Sequence, residues 1–263
     1  MRVLHDWLLT PERVAVHLPT RTAVVADLHL GYDEARRRRG DAVPGESMTE
    51  LLEPLLRVKR QHAARHLVIA GDLLEEGDCR EALAAFLEWI DRNSFDLMAV
   101  VPGNHDLGLE ETSRKCKRRY KDPSLTLPAR TICPQGVMVG GWRIVHGEGL
   151  LPDAPVVHGH DHPCLRWLPK SRANRPRFAR GRFAPDAIDG PCFLSGPQRL
   201  ILPAFSKEAA GVNVLSVRRW RALCCHVVAA DRVLDLGAVS TLGRRLSAAD
   251  AIRAAHAAQR SKL

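Results

Sequence analysis

Ala99-Val100-Val101-Pro102-Gly103-Asn104-His105-Asp106 reads as a short buried strand that breaks into a polar loop, and four other stretches repeat the plan. Ala23-Val24-Val25-Ala26 runs into Asp27-Leu28-His29, and Leu67-Val68-Ile69-Ala70 into Gly71-Asp72. Arg143-Ile144-Val145 ends on His146-Gly147, and Pro155-Val156-Val157 on His158-Gly159-His160-Asp161-His162. In a sheet covered by helices, the loops beyond one end of the strands are where polar groups converge. Six of the twelve histidines fall in these five loops, together with Asp27, Asp72 and Asn104. Packing has no use for such a collection; two adjacent cations do. Imidazole and carboxylate suit borderline divalent metals, and one carboxylate can bridge two ions about 3.5–4 Å apart.

Working outward, the N-terminal residues 3–18 read as two strands, Val3–Thr10 and Arg13–Leu18. Asp27 and His29 stand two apart, so extended backbone would point both side chains the same way. Ser47 with Glu50 three residues on is a capping box, opening a helix with Leu51, Leu52, Leu55, Leu56 and Val58 on one face. Asp78 is placed to cap a second helix, whose apolar positions are Leu83, Phe86, Leu87 and Ile90. Strand, helix, strand, helix, strand predicts a parallel α/β arrangement up to residue 106. From Thr131 the pattern changes to short strands with a hairpin turn at Gly140-Gly141, continuing to CCHVVAA at 224–230. Residues 247–261 are expected to form a terminal helix, and no linker or repeat divides the chain.

The blocks DLH, GD, GNHD, H and GHDH, in that order, resemble the calcineurin-like metallophosphoesterases. The flanking stretches VADLHLGYDEARRRRGDAVPG (25–45) and RLILPAFSKEAAGVNVL (199–215) are similar to the bacterial branch associated with DNA ligases and helicases. Together the resemblance spans roughly residues 10 to 217. It implies an α/β fold, a four-layer α/β/β/α sandwich of two mixed sheets flanked by helices, formed as one domain over 1–263 with a basic loop insertion at about 166–190. It also implies a phosphodiesterase with two divalent ions, manganese first, with iron, zinc, nickel or magnesium admitted. One ion would be held by Asp27, His29, Asp72 and His162, the other by Asp72, Asn104, His146 and His160. His105 would be the general acid and Asp106 would orient its ring. His158 departs from the family's block, which opens on an apolar residue, and is read as a strand histidine rather than a ligand. The branch implies a nuclease acting on DNA in repair, with DNA ligase and helicase partners.

Bulk properties set outer limits. No apolar run reaches the ~18–20 residues that span a bilayer. Charges appear too early in MRVLHDWLLTPER for a signal peptide, so a cytoplasmic protein is expected. Seven cysteines without a CxxC pair argue against a disulfide framework or a structural zinc site. The net charge of +9 is unevenly placed. Arg36–Arg39, Arg114–Lys121 and Arg166–Arg182 hold 17 of the 39 positive residues and no acid, leaving 22 against 30 acidic residues elsewhere. All three runs follow ligand loops, and a basic rim around a phosphoesterase suits a polyanion. Phe178 and Phe183 in the third run could stack on unpaired bases. Two rival readings share the fold: a phosphodiesterase or phosphatase for small nucleotides, which needs no such rim, and a non-catalytic scaffold, which needs no complete ligand set.

Overall fold

A computed structural model describes residues 1–76, 79–120, 122, 125–167 and 188–246 of the chain. The first sheet has six strands in sequential order: β1 (Arg2–Val3), β2 (Trp7–Leu9), β3 (Ala15–His17), β4 (Thr22–Val25), β5 (His66–Ala70) and β6 (Asp96–Val101). The first four pair antiparallel, then β4, β5 and β6 run parallel. Helices α1 (Tyr32–Arg38) and α2 (Met48–His62) cross from β4 to β5, and α3 (Arg80–Arg92) from β5 to β6. Helix α4 (Leu109–Tyr120) follows the loop after β6.

The second sheet is also mixed. Its path is β13 (Val212–Asn213), β10 (Pro163–Trp167), β11 (Ile188–Gly196), β12 (Arg199–Ile201), β9 (Val156–His158), β8 (Trp142–Val145) and β7 (Val137–Val139). The strands β14 (Cys224–Ala229) and β15 (Arg232–Ala238) extend it from β11, and α5 (Val239–Arg245) closes it.

Strand periodicity builds the layers. Ala23 and Val25 of β4, with Leu67 and Ile69 of β5, face Leu52, Leu55, Leu83 and Phe86 of the helices. Their alternates Val24, Ala26, Val68 and Ala70 face Ile144, Val157, Phe193 and Leu200 of the second sheet. The far side of that sheet buries Leu194, Ile201 and Val227 under Trp220 and Leu242. Because successive strand side chains point to opposite faces, these short apolar runs are buried on both sides. Helix α2 opens with the expected capping box, in which the Ser47 hydroxyl accepts from the Glu50 amide and the Ser47 amide donates to the Glu50 carboxylate. Among the described residues no helix is long and apolar enough to cross a membrane.

Several expectations are corrected. Residues 3–10 are not one strand but a hairpin, because Leu4 and His5 adopt left-handed backbone (φ 50° and 62°) and turn β1 into β2. Among the short strands expected after Thr131, VNVLSV (212–217) is a strand only at Val212–Asn213, after which the Asn213 side chain accepts from the Leu215 amide and starts a 3-10 turn. Of the first two basic runs, Arg36–Arg38 lie in α1 and Arg114–Arg119 in α4. In α4, Glu110 and Glu111 occupy the first turn and Lys117, Arg118 and Arg119 the last, complementing the helix dipole. Asp78, most of the third basic run with Phe178 and Phe183, and the 247–261 helix lie outside the described residues.

Candidate metal centre

The C-terminal ends of β4, β5, β6, β8 and β9 meet at one edge, and the loops beyond them are cross-linked by backbone. The Asp27 amide donates to the Gly71 carbonyl at 3.0 Å and the His29 amide to the Asp72 carbonyl at 2.9 Å. The Gly159 amide donates to the His146 carbonyl at 2.9 Å. Across the two sheets, the Asp27 carboxylate accepts from the His160 amide at 2.9 Å. Asp72 accepts from the His105 amide at 2.9 Å. Each carboxylate thus has one oxygen held by an amide, while the other, Asp27 Oδ1 or Asp72 Oδ2, lies 3.7 Å from a ring nitrogen of His146.

Expected extended backbone at Asp27 and His29 is replaced by left-handed backbone at both (φ 55° and 50°). Asp72, His160 and His162 share that conformation, at φ 42°, 66° and 42°. Non-glycine residues held there cost of order 1 kcal/mol or more each, so the loops are over-determined by their surroundings. The result is that side chains far apart in sequence, from Asp27 to His162, converge.

Their spacing is close. His146 Nε2 lies 3.0 Å from His160 Nδ1, 3.1 Å from Asn104 Oδ1 and 3.7 Å from Asp72 Oδ2. His162 Nε2 lies 3.4 Å from Asp27 Oδ2, and the His29 and His162 rings meet edge-on with centroids 5.6 Å apart. Asp72, His146 and His160 form one cluster able to hold a cation; His29, Glu75 and His105 form another. Besides His29 Nδ1, which faces Glu75, four buried atoms of these side chains have no hydrogen-bond partner: Asp27 Oδ1, His29 Nε2, His146 Nδ1 and His162 Nε2. Each such orphan costs about 1–3 kcal/mol. Four together fit a site that cations complete, and the mixed imidazole and carboxylate donors fit borderline divalent ions. Burial pushes the Asp27 carboxyl up and the His29 imidazole down, to about 4, which keeps His29 in the neutral form that ligates.

Glu75, which sequence reasoning passed over, stands between two of the predicted residues. Its carboxylate lies 2.9 Å from His29 Nδ1, and its backbone carbonyl lies 2.9 Å from His105 Nδ1. Nothing in the spacing of GDLLEEG marks it. The His105 ring is therefore set by Glu75 and not by Asp106. Asp106 is buried and accepts from three backbone amides, those of Leu73, Leu74 and Gly103, at 2.9–3.0 Å. It ties the loop after β5 to the loop after β6, and burial pushes its carboxyl up to about 6 against the pull of those amides. For His105, burial alone would lower the pKa, but the Glu75 carbonyl and the carboxylates of Asp72, Glu75 and Asp106 turn the shift upward. His158 sits inside β9 with Nδ1 3.0 Å from the Gly159 carbonyl and belongs to neither cluster. Glu148 is exposed.

Two glycines leave the space these side chains occupy. A Cβ at Gly103 would fall on the Asp72 carboxylate, and one at Gly71 on the His146 imidazole. Gly71 also has φ 98°, which side chains disfavour. Gly71→Ala should destabilise the fold by roughly 1–3 kcal/mol from backbone strain alone. It should also lower bound metal by displacing His146. Thermal melting and metal analysis read the two effects: unchanged melting would refute the strain at this position, and unchanged metal would show that the His146 ring moves aside.

The family model for calcineurin-like phosphoesterases matches residues 20–187. Among solved structures, the crystal structure of Pseudomonas putida nuclease MPE matches with a TM-score of 0.62 at 22% identity, over 88% of this chain and 94% of that one. That likeness is one of fold. No curated protein matches the sequence.

Proposed function

Because this chain belongs to the calcineurin-like phosphoesterase family, and so hydrolyses phosphoesters with divalent metals, we propose that it cleaves the phosphodiester backbone of DNA. In this reading Asp27, His29, Asp72 and His162 hold one ion, and Asp72, Asn104, His146 and His160 the other. When bound, the ions supply Lewis-acid polarisation of a phosphoryl oxygen and a bound water of lowered pKa. The protein's own contribution is placement and a proton. His105 Nδ1 faces the Glu75 carbonyl, which leaves Nε2 for the substrate. From there it protonates the leaving oxygen as the P–O bond breaks, giving a phosphomonoester and an alcohol. Its ring is half-buried.

The observation that carries the choice of DNA is the unneutralised outer face of α4. Residues Leu109, Thr112, Ser113 and Cys116 are buried, while Lys115, Lys117 and Arg118 are exposed and make no ion pair among the described residues. Helix α4 starts three residues after Asp106, with the Leu109 amide donating to the Asp106 carbonyl. The Arg36–Arg39 run contributes less, because Arg36 pairs with Asp41 at 2.6 Å, Arg38 with Glu34 at 3.1 Å, and Arg39 with Glu76. Its role is largely local stability. Repair, and ligase or helicase partners, follow from the sequence resemblance and remain part of the same proposal.

The test is a manganese-supplemented assay that compares single- and double-stranded DNA with cyclic nucleotides and a generic phosphodiester. Reversing Lys115, Lys117 and Arg118 to Glu should raise KM for DNA and flatten its salt dependence by about 0.7–0.9 for each phosphate no longer gripped. Small phosphodiesters should be affected far less. A cleft of about 440 Å³ beside His146, lined by Pro102, Arg143, Glu148 and Leu151, is large enough for one small ligand. If cyclic nucleotides outcompete DNA and the charge reversals leave DNA cleavage unchanged, the small-nucleotide reading takes its place.

A further inference from the structure

A second pocket, of about 230 Å³, opens beside His162, between β10 and the loop 202–211. Arg13, Arg166 and Lys207 line it with His162, Ser206 and one carboxylate, Asp189. Two of the three cations have acidic partners: Arg166 lies 3.6 Å from Asp189, and Lys207 lies 3.2 Å from Glu46. Arg13 has none. Its Nη1 donates to the Ser206 carbonyl at 2.9 Å and the Ala204 carbonyl at 3.4 Å, and no carboxylate among the described residues pairs with it. Burial lowers its pKa with no opposing charge. A half-buried guanidinium satisfied only by neutral carbonyls is a cation whose counter-charge is missing.

The pocket is also built onto the metal loops. The Phe205 amide donates to the Ala26 carbonyl and the Ser206 amide to the Asp27 carbonyl, at 2.8 and 3.2 Å. So the loop that Arg13 grips lies along the strand end that carries Asp27. His162 is shared between the pocket and the candidate centre, with Nε2 3.4 Å from Asp27. An anion in this pocket would sit next to the reacting phosphate without being it.

We propose that the Arg13–Arg166–Lys207 pocket is a phosphate subsite that receives a non-scissile backbone phosphate of a polynucleotide while its neighbour is cleaved. The proposal rests on the polynucleotide reading above and adds what that reading lacks, a means of preferring a chain of phosphates to a lone diester. Guanidinium forks and ammonium groups bind phosphate oxygens through charge-assisted bonds.

The probes are a fluorescein-labelled dT12 oligonucleotide and bis(p-nitrophenyl) phosphate, which has only the scissile phosphate. Binding is read by anisotropy on the metal-loaded His105→Ala protein, where turnover is suppressed, and KM and kcat on protein with His105 intact. Arg13→Gln removes the charge and, being two bonds shorter, also the bond to the Ser206 carbonyl, and should raise Kd and KM for dT12 about tenfold. Lys207→Gln alters an exposed side chain whose one ion pair, with Glu46, is at the surface, and should give a smaller rise in the same direction. Each should flatten the salt slope by about 0.7, with the small diester affected at least fivefold less. Equal losses on both substrates would make Arg13 only a clamp on the loop and overturn the subsite. Unchanged dT12 binding and salt slope in both variants would overturn it as well. If the unsubstituted protein hydrolyses the small diester but neither binds nor cuts any nucleic acid, the polynucleotide reading itself has failed.

Discussion

Asp72→Asn should strip most of both metal ions from the protein and lower turnover by more than the roughly 10–100-fold that losing an outer partner of a metal ligand costs. The substitution is close to isosteric, and an amide oxygen can still accept from the His105 amide, which now donates to Asp72 Oδ1 at 2.9 Å. The fold should therefore survive, as a thermal melt would verify. What disappears is the one negative charge that the proposed centre shares between its two ions, at a buried position 3.7 Å from His146. Metal analysis of the dialysed protein gives the answer directly. If the variant still holds two ions per chain and keeps full turnover, the shared-carboxylate assignment is wrong.

His105→Ala should separate chemistry from assembly. Its metal content should match that of the unaltered protein, while kcat on a phosphodiester with an alcohol leaving group falls roughly 10²–10⁴-fold, the range for loss of a general acid. With nitrophenolate as leaving group, which scarcely needs a proton, the fall should be much smaller. The geometry also offers a competing role, because His105 lies with His29 and Glu75 in a cluster that could itself hold a cation. In that case the variant would lose metal, and both substrates would suffer alike. Equal losses with metal retained would likewise remove His105 from the acid role.

Much of the architecture is legible in the sequence because it depends on local pattern. Short apolar runs ending in polar loops announce β4, β5, β6, β8 and β9, and the capping box announces α2. Side chains delivered by those loops converge as the motif order implies. What is not legible depends on partners far away in sequence. Asp106 looks like a companion of His105, its neighbour, yet its oxygens are taken by Leu73, Leu74 and Gly103. Glu75 gains its place only when the loops after β4, β5 and β6 come together. Arg13 is one arginine among many until Ala204 and Ser206 fold over it. The basic helices α1 and α4 are hidden because charge dominates their sequence while their buried faces are narrow, Ala35 in one and Leu109, Thr112, Ser113 and Cys116 in the other.

The bond from the His160 amide to the Asp27 carboxylate spans 133 positions of chain. A ribosome therefore releases Asp27, His29, Asp72 and Asn104 well before it reaches His146, His160 and His162. Domains fold from the N-terminus during synthesis, and contacts so distant in sequence close slowly because their loop entropy must be met first. A nascent or clipped front half carries only Asp27, His29, Asp72 and Asn104 of the proposed ligands, with the His29, Glu75 and His105 cluster beside them. On the proposed ligand sets, a front half made alone should bind no pair of ions and cut no phosphoester, and activity should appear only once the second sheet docks onto the first.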